Sequence, residues 1–210
     1  MSDQTQHRQD HLTQKKWDRL AKRFDLMTGM GAEKRWAPAK QKLFGQMEGN
    51  ILFLALGTGL DISFFPAEKN ITAIDISPKM LEQAEQRIAN YPGQLTAKVM
   101  DVHQLEFDDH QFDQVYTSCT FCSVPNPIDG LKSLHRVLKP GGALRLFEHT
   151  GSRLFPFNLQ MHLMSKLSER IGPAMNRDTV SNVAHAGFTI EKVENVYLDV
   201  VKIIYAHKPG

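Results

Sequence analysis

Two glycines and one carboxylate stand where the chain could bind a nucleotide. Gly57 and Gly59 end an apolar run, ILFLALGTG, and Asp75 ends a second β-branched run sixteen residues after Gly59. Glycine lets the backbone approach a ligand closely, and a carboxylate at this spacing can accept hydrogen bonds from both ribose hydroxyls. In an open α/β sheet, ligands bind at the carboxyl ends of neighbouring parallel strands. The two runs therefore predict a nucleotide-type site at such strand ends.

The glycine turn does not match the fingerprint of a nicotinamide dinucleotide site. The pattern G-x-G-x-x-G would need a third glycine where Ile62 stands. A pyrophosphate also requires a helix start without negative charge, and Asp61 stands there. The turn therefore disfavours a dinucleotide and by itself leaves the ligand open.

The elements that must position these residues follow from the alternation of β-rich and helical stretches. Strands are expected at residues 51–56, 71–74, 95–100, 114–117, 143–147, 188–193 and 196–206. Helices are expected at residues 13–27, 33–47, 60–65, 78–89, 129–138 and 178–186, with a frayed polar segment at 1–11. The β-α-β-α order predicts a parallel sheet with right-handed crossovers, and the last two strands follow each other closely enough for an antiparallel hairpin. We expect an α/β, Rossmann-like, doubly wound, mostly parallel seven-stranded sheet.

The bulk composition is that of one folded domain. The chain has 210 residues, 41% of them hydrophobic and 23% charged, which suffices for a substantial core. A net charge of +2 gives no argument for a nucleic-acid partner, and two cysteines do not make a disulfide framework. No apolar run approaches the roughly 18 residues of a membrane span, and the N-terminus lacks a signal-peptide core. We expect a cytoplasmic protein that binds no nucleic acid.

Several motifs between residues 50 and 150 occur in an order that resembles the class I S-adenosylmethionine-dependent methyltransferases. ALGTG is similar to the first motif, which surrounds the methionine part of that cofactor, and AIDISPKM to the second. VMDVHQLEFDDHQFD is similar to the third, and HRVLKPGG precedes the expected fifth strand. The resemblance implies S-adenosylmethionine as cofactor, residues 50–150 as its binding core, and a single methyltransferase domain over 1–210.

The resemblance also assigns roles to particular residues. Asp75 would bind the ribose, Met80 would pack near the adenine, Asp101 would accept from the adenine amino group, and Val102 would contact the ring through its backbone. The full set of expected cofactor-binding residues is Gly57, Thr58, Gly59, Asp61, Asp75, Ile76, Met80, Asp101, Val102 and Thr117.

Two positions depart from the first motif. Phe53 stands where the family usually has an acidic residue that helps to hold the amino end of the cofactor, and Ala55 stands where it has a glycine. We expect Asp61 to supply a carboxylate in place of the missing acid. An alanine at position 55 is a small change if its φ is negative. Phe53 also leaves open a second class of function, a non-catalytic cofactor-binding or scaffold protein.

The N-terminal segment, residues 1–48, carries an amphipathic helix with two interpretations. Trp17, Leu20, Ala21 and Phe24 form an apolar stripe, and cations surround it: Lys15, Lys16, Arg19, Lys22 and Arg23. The helix is expected to form a lid over the site or an interfacial helix that contacts an anionic membrane, and the two roles are compatible. Its sequence WDRLAKRFD resembles the opening of the quinone C-methyltransferases and of the bacterial phosphatidylethanolamine N-methyltransferases.

The acceptor side of the site is expected from apolar residues and thiols. Residues 152–172 are rich in apolar side chains, which favours a lipophilic acceptor or membrane contact. Cys119 and Cys122 form a C-x-x-C without the further ligands that a zinc site needs, so we expect pocket-wall thiols and no metal. The region from CSVPNP to the EH pair resembles the membrane-associated thiol S-methyltransferases. Six residues are expected to contact the acceptor: Trp17, Phe24, Cys122, Phe155, Phe157 and Met161.

The sequence thus predicts transfer of a methyl group to a lipophilic acceptor. A phospholipid headgroup amine is the first expectation, because the basic amphipathic helix and the short chain fit it, and a quinone-precursor carbon or a small thiol are the alternatives. An acceptor that loses a proton needs a base, for which Glu148, His149 and Tyr116 are the candidates.

Overall fold

The computed structural model of the chain describes residues 3–28, 32–152, 154, 158, 159, 161, 165, 174 and 176–210. The expected acceptor residues Phe155 and Phe157 lie outside the described residues. The helices are α1 (Asp3–Thr28), α2 (Ala32–Phe44), a 3-10 helix (Leu60–Phe64), α3 (Pro78–Ala89), α4 (Pro127–Val137) and α5 (Thr179–His185). The strands are β1 (Ile51–Leu54), β2 (Asn70–Asp75), β3 (Gln94–Val99), β4 (Phe112–Ser118), β5 (Leu138–His149), β6 (Thr189–Tyr197) and β7 (Val201–His207).

The seven strands form one mixed sheet in the order β3-β2-β1-β4-β5-β7-β6. Strands β3, β2, β1, β4 and β5 are parallel, whereas β7 runs antiparallel to both β5 and β6. This arrangement confirms the expected Rossmann-like sheet with its antiparallel C-terminal hairpin. The chain order reverses between β1 and β4, and such a reversal opens a crevice at the carboxyl ends of the strands.

Strand β1 lies inside the sheet, between β2 and β4, and is buried on both faces. Leu52 and Leu54 belong to the apolar cluster that includes residues of α4 and α5, while Ile51 and Phe53 belong to the cluster that includes residues of α2. A parallel sheet covered by helices on both faces requires such continuous apolar runs. Its four residues are at most 4% exposed, so the strand fixes the position of the glycine turn that follows it.

Helix α1 is longer than the sequence predicted. The polar segment at 1–11 was expected to be frayed, but the helix begins at Asp3. Tertiary hydrogen bonds explain the difference, because Gln6 bonds to Asn126 and Asp10 is only 5% exposed beside His103. Apolar periodicity does not reveal contacts of this kind. Among the described helices, none combines the length and apolar character needed to cross a bilayer.

Helix α3 begins as its sequence predicts. The Ser77 hydroxyl accepts a hydrogen bond from the Met80 backbone N–H at 3.1 Å, and Pro78 takes the first helical position. A serine cap followed by proline is favourable there because the first helical N–H groups have no partner within the helix. This cap sets the start of α3 directly after the carboxylate that ends β2.

Ala55 adopts a left-handed backbone conformation, with φ of 58°. The expectation that this alanine is a small change depended on a negative φ, and the structure corrects it. The Cβ of an L-residue collides with its own backbone in this region, which costs about 1–2 kcal/mol. The strain lies at the first residue after β1, where the chain turns into the cleft.

We predict that Ala55→Gly stabilises the fold by about 0.5–1 kcal/mol, because relief of this strain exceeds the extra entropy of glycine in the unfolded chain. Urea unfolding monitored by circular dichroism measures the change. Ala184→Gly is the matched control, since Ala184 is exposed within helix α5, and there glycine should cost about 0.5–1 kcal/mol. Destabilisation by both substitutions would contradict the assignment of strain to Ala55.

Candidate active site

A cleft lies at the carboxyl ends of β1, β2 and β4, beneath helix α1. It holds about 780 Å³ of space, part of which is open to solvent. Its walls come from α1 and from the residues that end or follow β1, β2, β3 and β4: Asp10, Thr13, Trp17, Phe24, Leu54, Ala55, Gly57, Asp75, Ile76, Met80, Met100, Asp101, Val102, His103, Ser118, Cys119, Thr120, Ser123, Val124 and Pro125. The cleft therefore occupies the position that the sequence predicted for the site.

The Asp75 carboxylate is held rigidly at the end of β2. One oxygen accepts from the Gly57 backbone N–H and the other from the Ser77 backbone N–H, both at 2.8 Å. Burial raises the pKa of Asp75 to about 6, although these two hydrogen bonds oppose the shift. Gly57 has a φ of 60°, and a Cβ built there meets nothing within 4 Å, so its backbone faces open space. The Asp75 carboxylate therefore offers a ligand hydrogen-bond acceptors, and the turn at Gly57 lets the backbone approach it closely.

The second carboxylate of the cleft, Asp101, follows β3. Its Oδ1 accepts from the backbone N–H of His103 at 2.8 Å and lies 2.9 Å from His103 Nδ1. Burial alone would raise the pKa of Asp101, but the hydrogen bonds and charge of His103 hold it below its usual value. The neighbouring side chains Val102 and Met80 are 6% and 2% exposed and line the cleft. The region thus combines an ionised acceptor with apolar walls.

Six of the ten expected cofactor residues line the cleft, namely Gly57, Asp75, Ile76, Met80, Asp101 and Val102. Thr58 and Thr117 do not. The Thr58 hydroxyl donates to Asp25 at 2.5 Å, and the Thr117 hydroxyl donates to Thr120 at 2.5 Å. Gly59, with a φ of 81°, brings the turn so close to α3 that an added Cβ would lie 3.2 Å from Ala84. These three residues stabilise the turn after β1 and the loop after β4 without lining the cleft.

The two departures from the first motif leave the amino end of the site without an acid from either position. The Phe53 ring lies in the core, with ring centroids 4.8 Å from Phe65 and 5.6 Å from Phe44. Asp61 was expected to substitute for the missing acid, but its carboxylate lies 2.5 Å from Lys40 Nζ and does not line the cleft. Both charges of this ion pair act on the Cys119 thiol, so the pair lies near the cleft, and the substitute role of Asp61 stays a prediction.

Helix α1 covers the cleft and is attached by three carboxylates on its inner side. Asp10 Oδ1 lies 3.3 Å from His103 Nδ1, Asp18 accepts from the Ser77 hydroxyl at 2.6 Å, and Asp25 pairs with Arg87 at 2.7 Å. The aromatic rings of Trp17 and Phe24 lie between these contacts, 6.0 Å apart in an edge-on arrangement, and both line the cleft. The apolar stripe of α1 therefore faces the site, as the lid interpretation requires.

The three candidate bases occupy different environments. The Tyr116 hydroxyl donates to Gln114 at 3.1 Å within the fully buried core, away from the carboxyl end of β4, and burial raises its pKa. Its placement corrects the expectation of a proton acceptor in the cleft. Glu148 and His149 do end β5, next to the loop of Cys119.

Glu148 lies wholly buried beneath the loop that follows β4. Its Oε1 accepts from the backbone N–H groups of Thr120 at 3.0 Å and Phe121 at 3.2 Å, and its Oε2 has no hydrogen-bond partner among the described residues. Burial raises the pKa of Glu148 to about 7, against the opposing effect of these backbone donors. The side chain does not line the cleft, so it holds the loop in place.

His149 is half-buried at the end of β5. Burial and the charge of Lys202 lower the pKa of His149, so its imidazole is neutral near pH 7. Its Nδ1 is buried without a hydrogen-bond partner among the described residues, and its backbone N–H lies next to the Cys119 thiol. A neutral imidazole in this position is able to accept a proton.

The two thiols differ in their access to the cleft. Cys119 adopts a left-handed conformation, with φ of 52°, and its side chain is open to the cleft although protein surrounds it. Burial raises its pKa to about 12, so the thiol stays protonated. Cys122, which was expected to line the pocket, is 3% exposed and donates to the Cys119 carbonyl at 3.3 Å. Cys119, and not Cys122, lines the cleft. Met161 is half-buried and does not line the cleft.

Sequence reasoning missed His103 and Asp10, which stand beside the Asp101 carboxylate. The only signal for His103 was its place two residues after Asp101. Asp10 gave no signal, because it reaches the cleft through the position of a helix that is distant in sequence.

Comparison with known proteins agrees with this geometry. The family model described as "Methyltransferase domain" matches residues 52–146. The ubiquinone/menaquinone biosynthesis C-methyltransferase UbiE of Geobacter sp. strain M21 is 32% identical over 169 residues, covering 75% of this chain and 72% of the relative. The thiol S-methyltransferase TMT1B of Homo sapiens is 29% identical over 174 residues, covering 74% and 69%.

The chain belongs to the class I S-adenosylmethionine-dependent methyltransferases. Solved structures share the fold of this methyltransferase. A putative methyltransferase from Bacillus halodurans has a TM-score of 0.68 at 20% identity and covers 82% of this chain and 98% of its own. The [4+2]-cyclase SpnF has a TM-score of 0.65 at 18% identity and covers 83% and 80%.

The residues of the cleft fit S-adenosylmethionine. Its ribose diol needs a fixed carboxylate, which Asp75 offers, and its adenine needs an ionised acceptor beside apolar walls, which Asp101, Val102 and Met80 offer. Asp75 also lacks a cationic partner among the charges that affect its pKa. Such a desolvated carboxylate gains free energy from ligand hydroxyl donors.

We predict that Asp75→Asn weakens binding of S-adenosylhomocysteine at least about tenfold at pH 7, because the amide loses the charge and one acceptor. In the wild type, affinity should fall as pH drops below about 6, where Asp75 protonates. Isothermal titration calorimetry measures both effects. Asp108→Asn, a change of an exposed carboxylate, should leave the affinity unchanged, and an equal loss in both variants would contradict the role of Asp75.

Glu148 generates a prediction about stability. The folded state binds its proton up to about pH 7, whereas the unfolded carboxyl releases it near 4.5. Stability from this group is therefore present at low pH and lost as pH rises through about 7, by on the order of 1–3 kcal/mol. Glu148→Gln should remove this part of the pH dependence in urea unfolding. The control Glu85→Gln changes an exposed glutamate and should keep the pH dependence of the wild type. If the free energy of unfolding of Glu148→Gln still fell with pH as in the wild type, the raised pKa would not belong to Glu148.

Proposed function

We propose that this methyltransferase methylates a ring carbon of a lipophilic quinone precursor. The observation that carries the proposal is the aromatic pair of Trp17 and Phe24, with which helix α1 lines the cleft. An electron-rich ring can stack against such side chains. The quinone C-methyltransferase UbiE is 32% identical over 75% of this chain, and this similarity supports the same acceptor class.

When bound, S-adenosylmethionine supplies a methyl group on a positively charged sulfur. Asp75 would hold its ribose, Asp101 and Val102 its adenine, and the turn at Gly57 its methionine part. The reacting end would then lie near the loop of Ser118, Cys119 and Thr120, which lines the same cleft. The chain contributes by aligning the acceptor with the methyl group and by excluding water, and such positioning supplies much of the acceleration in reactions of this kind.

A ring carbon that accepts a methyl group must lose its own hydrogen as a proton to restore the aromatic ring, and earlier removal of the proton of a ring hydroxyl makes the carbon more nucleophilic. His149 is the described residue that best fits this task, because its imidazole is neutral and its Nδ1 has no partner among the described residues. It stands behind Cys119 and not in the cleft wall, so proton transfer would pass through a water or a small shift of the loop. Glu148 would act by holding this loop.

A small thiol is the second candidate acceptor. The side chains that line the β4 end of the cleft, Ser118, Cys119, Thr120 and Ser123, include no carboxylate or imidazole. A thiol needs less help from a base than an amine or a ring carbon, because a thiol of ordinary pKa ionises partly by itself near pH 8. The similarity to the thiol S-methyltransferase TMT1B supports this alternative.

A phospholipid headgroup amine, the first expectation from the sequence, now ranks behind these two. It depended on an interfacial role for α1, whose apolar stripe instead faces the cleft. The cations on the other side, of which Lys15, Arg19, Lys22 and Arg23 are exposed, still suit an anionic surface. Contact with a membrane that delivers a lipophilic acceptor therefore stays part of the proposal.

The acceptor is tested with the purified protein and methyl-labelled S-adenosylmethionine. Three acceptors are offered in parallel: a short-chain prenylated hydroquinone lacking one ring methyl group, an alkyl thiol, and phosphatidylethanolamine vesicles. We expect label on a ring carbon of the hydroquinone, identified by mass spectrometry. Label on sulfur would favour the thiol alternative, and label on nitrogen would contradict the proposed acceptor class.

Phe24→Ala tests whether this aromatic pair contacts the acceptor. Removing about 60 Å² or more of apolar contact should raise the acceptor KM roughly tenfold and change the KM for S-adenosylmethionine much less. Leu26→Ala is the matched control, because Leu26 lies two residues later on the same helix and is 69% exposed. Equal effects on the two KM values, or equal effects of both substitutions, would refute the contact between Phe24 and the acceptor.

A further inference from the structure

The imidazole of His103 joins three parts of the molecule that are far apart in sequence. Its Nδ1 lies 2.9 Å from Asp101 Oδ1, next to the adenine side of the cleft, and 3.3 Å from Asp10 Oδ1 on the lid helix α1. Its Nε2 lies 3.1 Å from the backbone carbonyl of Asn126, at the start of α4. The side chain is 6% exposed, so bulk water does not replace these partners.

The chemistry of the partners decides the protonation of the ring. A carbonyl oxygen only accepts, so Nε2 must carry a hydrogen. Ionised carboxylates also only accept, and two of them face Nδ1, so that nitrogen must carry a hydrogen as well. The Gln6 amide nitrogen lies 3.3 Å from Nδ1, but it donates to both oxygens of Asp10 at 2.8 and 3.0 Å. The arrangement therefore fits an imidazolium between two carboxylates.

The positive charge has a structural reason in the closed lid. The side chains of Asp10 and Asp101 lie within hydrogen-bonding reach of each other, and this contact lowers the pKa of Asp101. Two carboxylates so close in a buried place repel each other unless a proton or a cation lies between them, and the His103 ring can supply it. Burial lowers the pKa of His103, but the hydrogen bonds to Asp101 and Asn126 and the charges of Asp101 and Asp10 outweigh it, and the net shift is upward. Among the described residues, Asp101 and Asp10 are the charged groups that shift the pKa of the ring.

We propose that His103 is a positioning residue whose imidazolium fixes Asp101 for the adenine amino group and holds the lid helix closed through Asp10. The ring uses Asp101 Oδ1, to which its own backbone N–H also donates. This fixes the orientation of the carboxylate and directs Oδ2 elsewhere. Cofactor binding and lid closure are thereby coupled through one protonated side chain. The inference rests on the cofactor and does not depend on the identity of the acceptor.

The pH dependence of cofactor binding follows from the direction of the shift. The partners of His103 raise its pKa in the folded protein, so the ring keeps its proton to a higher pH than an ordinary histidine and loses it as pH rises through the raised value. Binding that depends on the imidazolium is lost over the same range. Protonation of Asp75 weakens binding on the acid side, below about pH 6. The affinity for S-adenosylhomocysteine should therefore pass through a maximum, with His103 responsible for the alkaline decline.

The test measures binding of S-adenosylhomocysteine by calorimetry from pH 5 to 9. In His103→Gln the alkaline decline should disappear, the acid decline should remain, and affinity at pH 7 should be about tenfold lower. His185→Gln, a change of an exposed histidine on α5, should behave as the wild type. A wild-type profile that is flat above pH 6.5, or an unchanged profile in His103→Gln, would overturn the proposal. So would loss of wild-type affinity on addition of EDTA, because the cluster would then bind a metal ion.

A second variant tests the lid without altering the cofactor residues. In a Trp36→Phe background Trp17 is the only tryptophan, and its quenching by acrylamide in the S-adenosylhomocysteine complex reports closure of α1. Asp10→Asn should increase this quenching at least about twofold and move the alkaline decline to lower pH, because one carboxylate no longer stabilises the imidazolium. Unchanged quenching and an unchanged profile in a folded Asp10→Asn protein would show that Asp10 does not hold the lid.

Discussion

The cleft depends on one buried carboxylate, that of Asp75. Its two oxygens bind the backbone N–H groups of Gly57 and Ser77, so a single side chain ties the turn after β1 to the start of α3. The same burial that raises its pKa leaves it without a cationic counter-charge. A carboxylate held in this way is preorganised for neutral hydroxyl donors, because a strong ion pair would have to be broken before such donors could bind.

Helix α1 covers the cleft through polar contacts, although its stripe over the cleft is apolar. Asp10, Asp18 and Asp25 each bind next to a different motif of the cofactor site, while Lys15, Arg19, Lys22 and Arg23 of the same helix are exposed. The outermost contact, Asp25 with Arg87, involves side chains that are 40% and 37% exposed, and ion pairs at such exposure contribute little stability. Of the three contacts, Asp25 with Arg87 therefore contributes least to holding the helix, and the rings of Trp17 and Phe24 give the covered cleft apolar walls.

Two strained residues and one buried acid mark the side of the cleft where β1 and β4 end. Ala55 and Cys119 both have φ values in the left-handed region, and both line the cleft. Glu148 holds the Cys119 loop from below through the backbone of Thr120 and Phe121. Strain of this kind persists where the surrounding structure fixes the backbone, and it concentrates at functional sites. The loop is therefore rigid at the place where the acceptor must be aligned.

The sequence by itself determined the order of elements, the sheet with its terminal hairpin, and the residues that end β2 and β3. It could do so because strand periodicity, the Ser77–Pro78 cap and the spacing from Gly59 to Asp75 are local signals. Only the tertiary structure decided which polar groups pair across the chain. It paired Asp61 with Lys40 and brought Asp10 to His103. It also placed Tyr116 in the core and Cys119, in place of Cys122, in the cleft wall. Such pairs join residues that are 21 to 93 positions apart (61 − 40 and 103 − 10), and no local pattern encodes a distance that arises only when helices pack on the sheet.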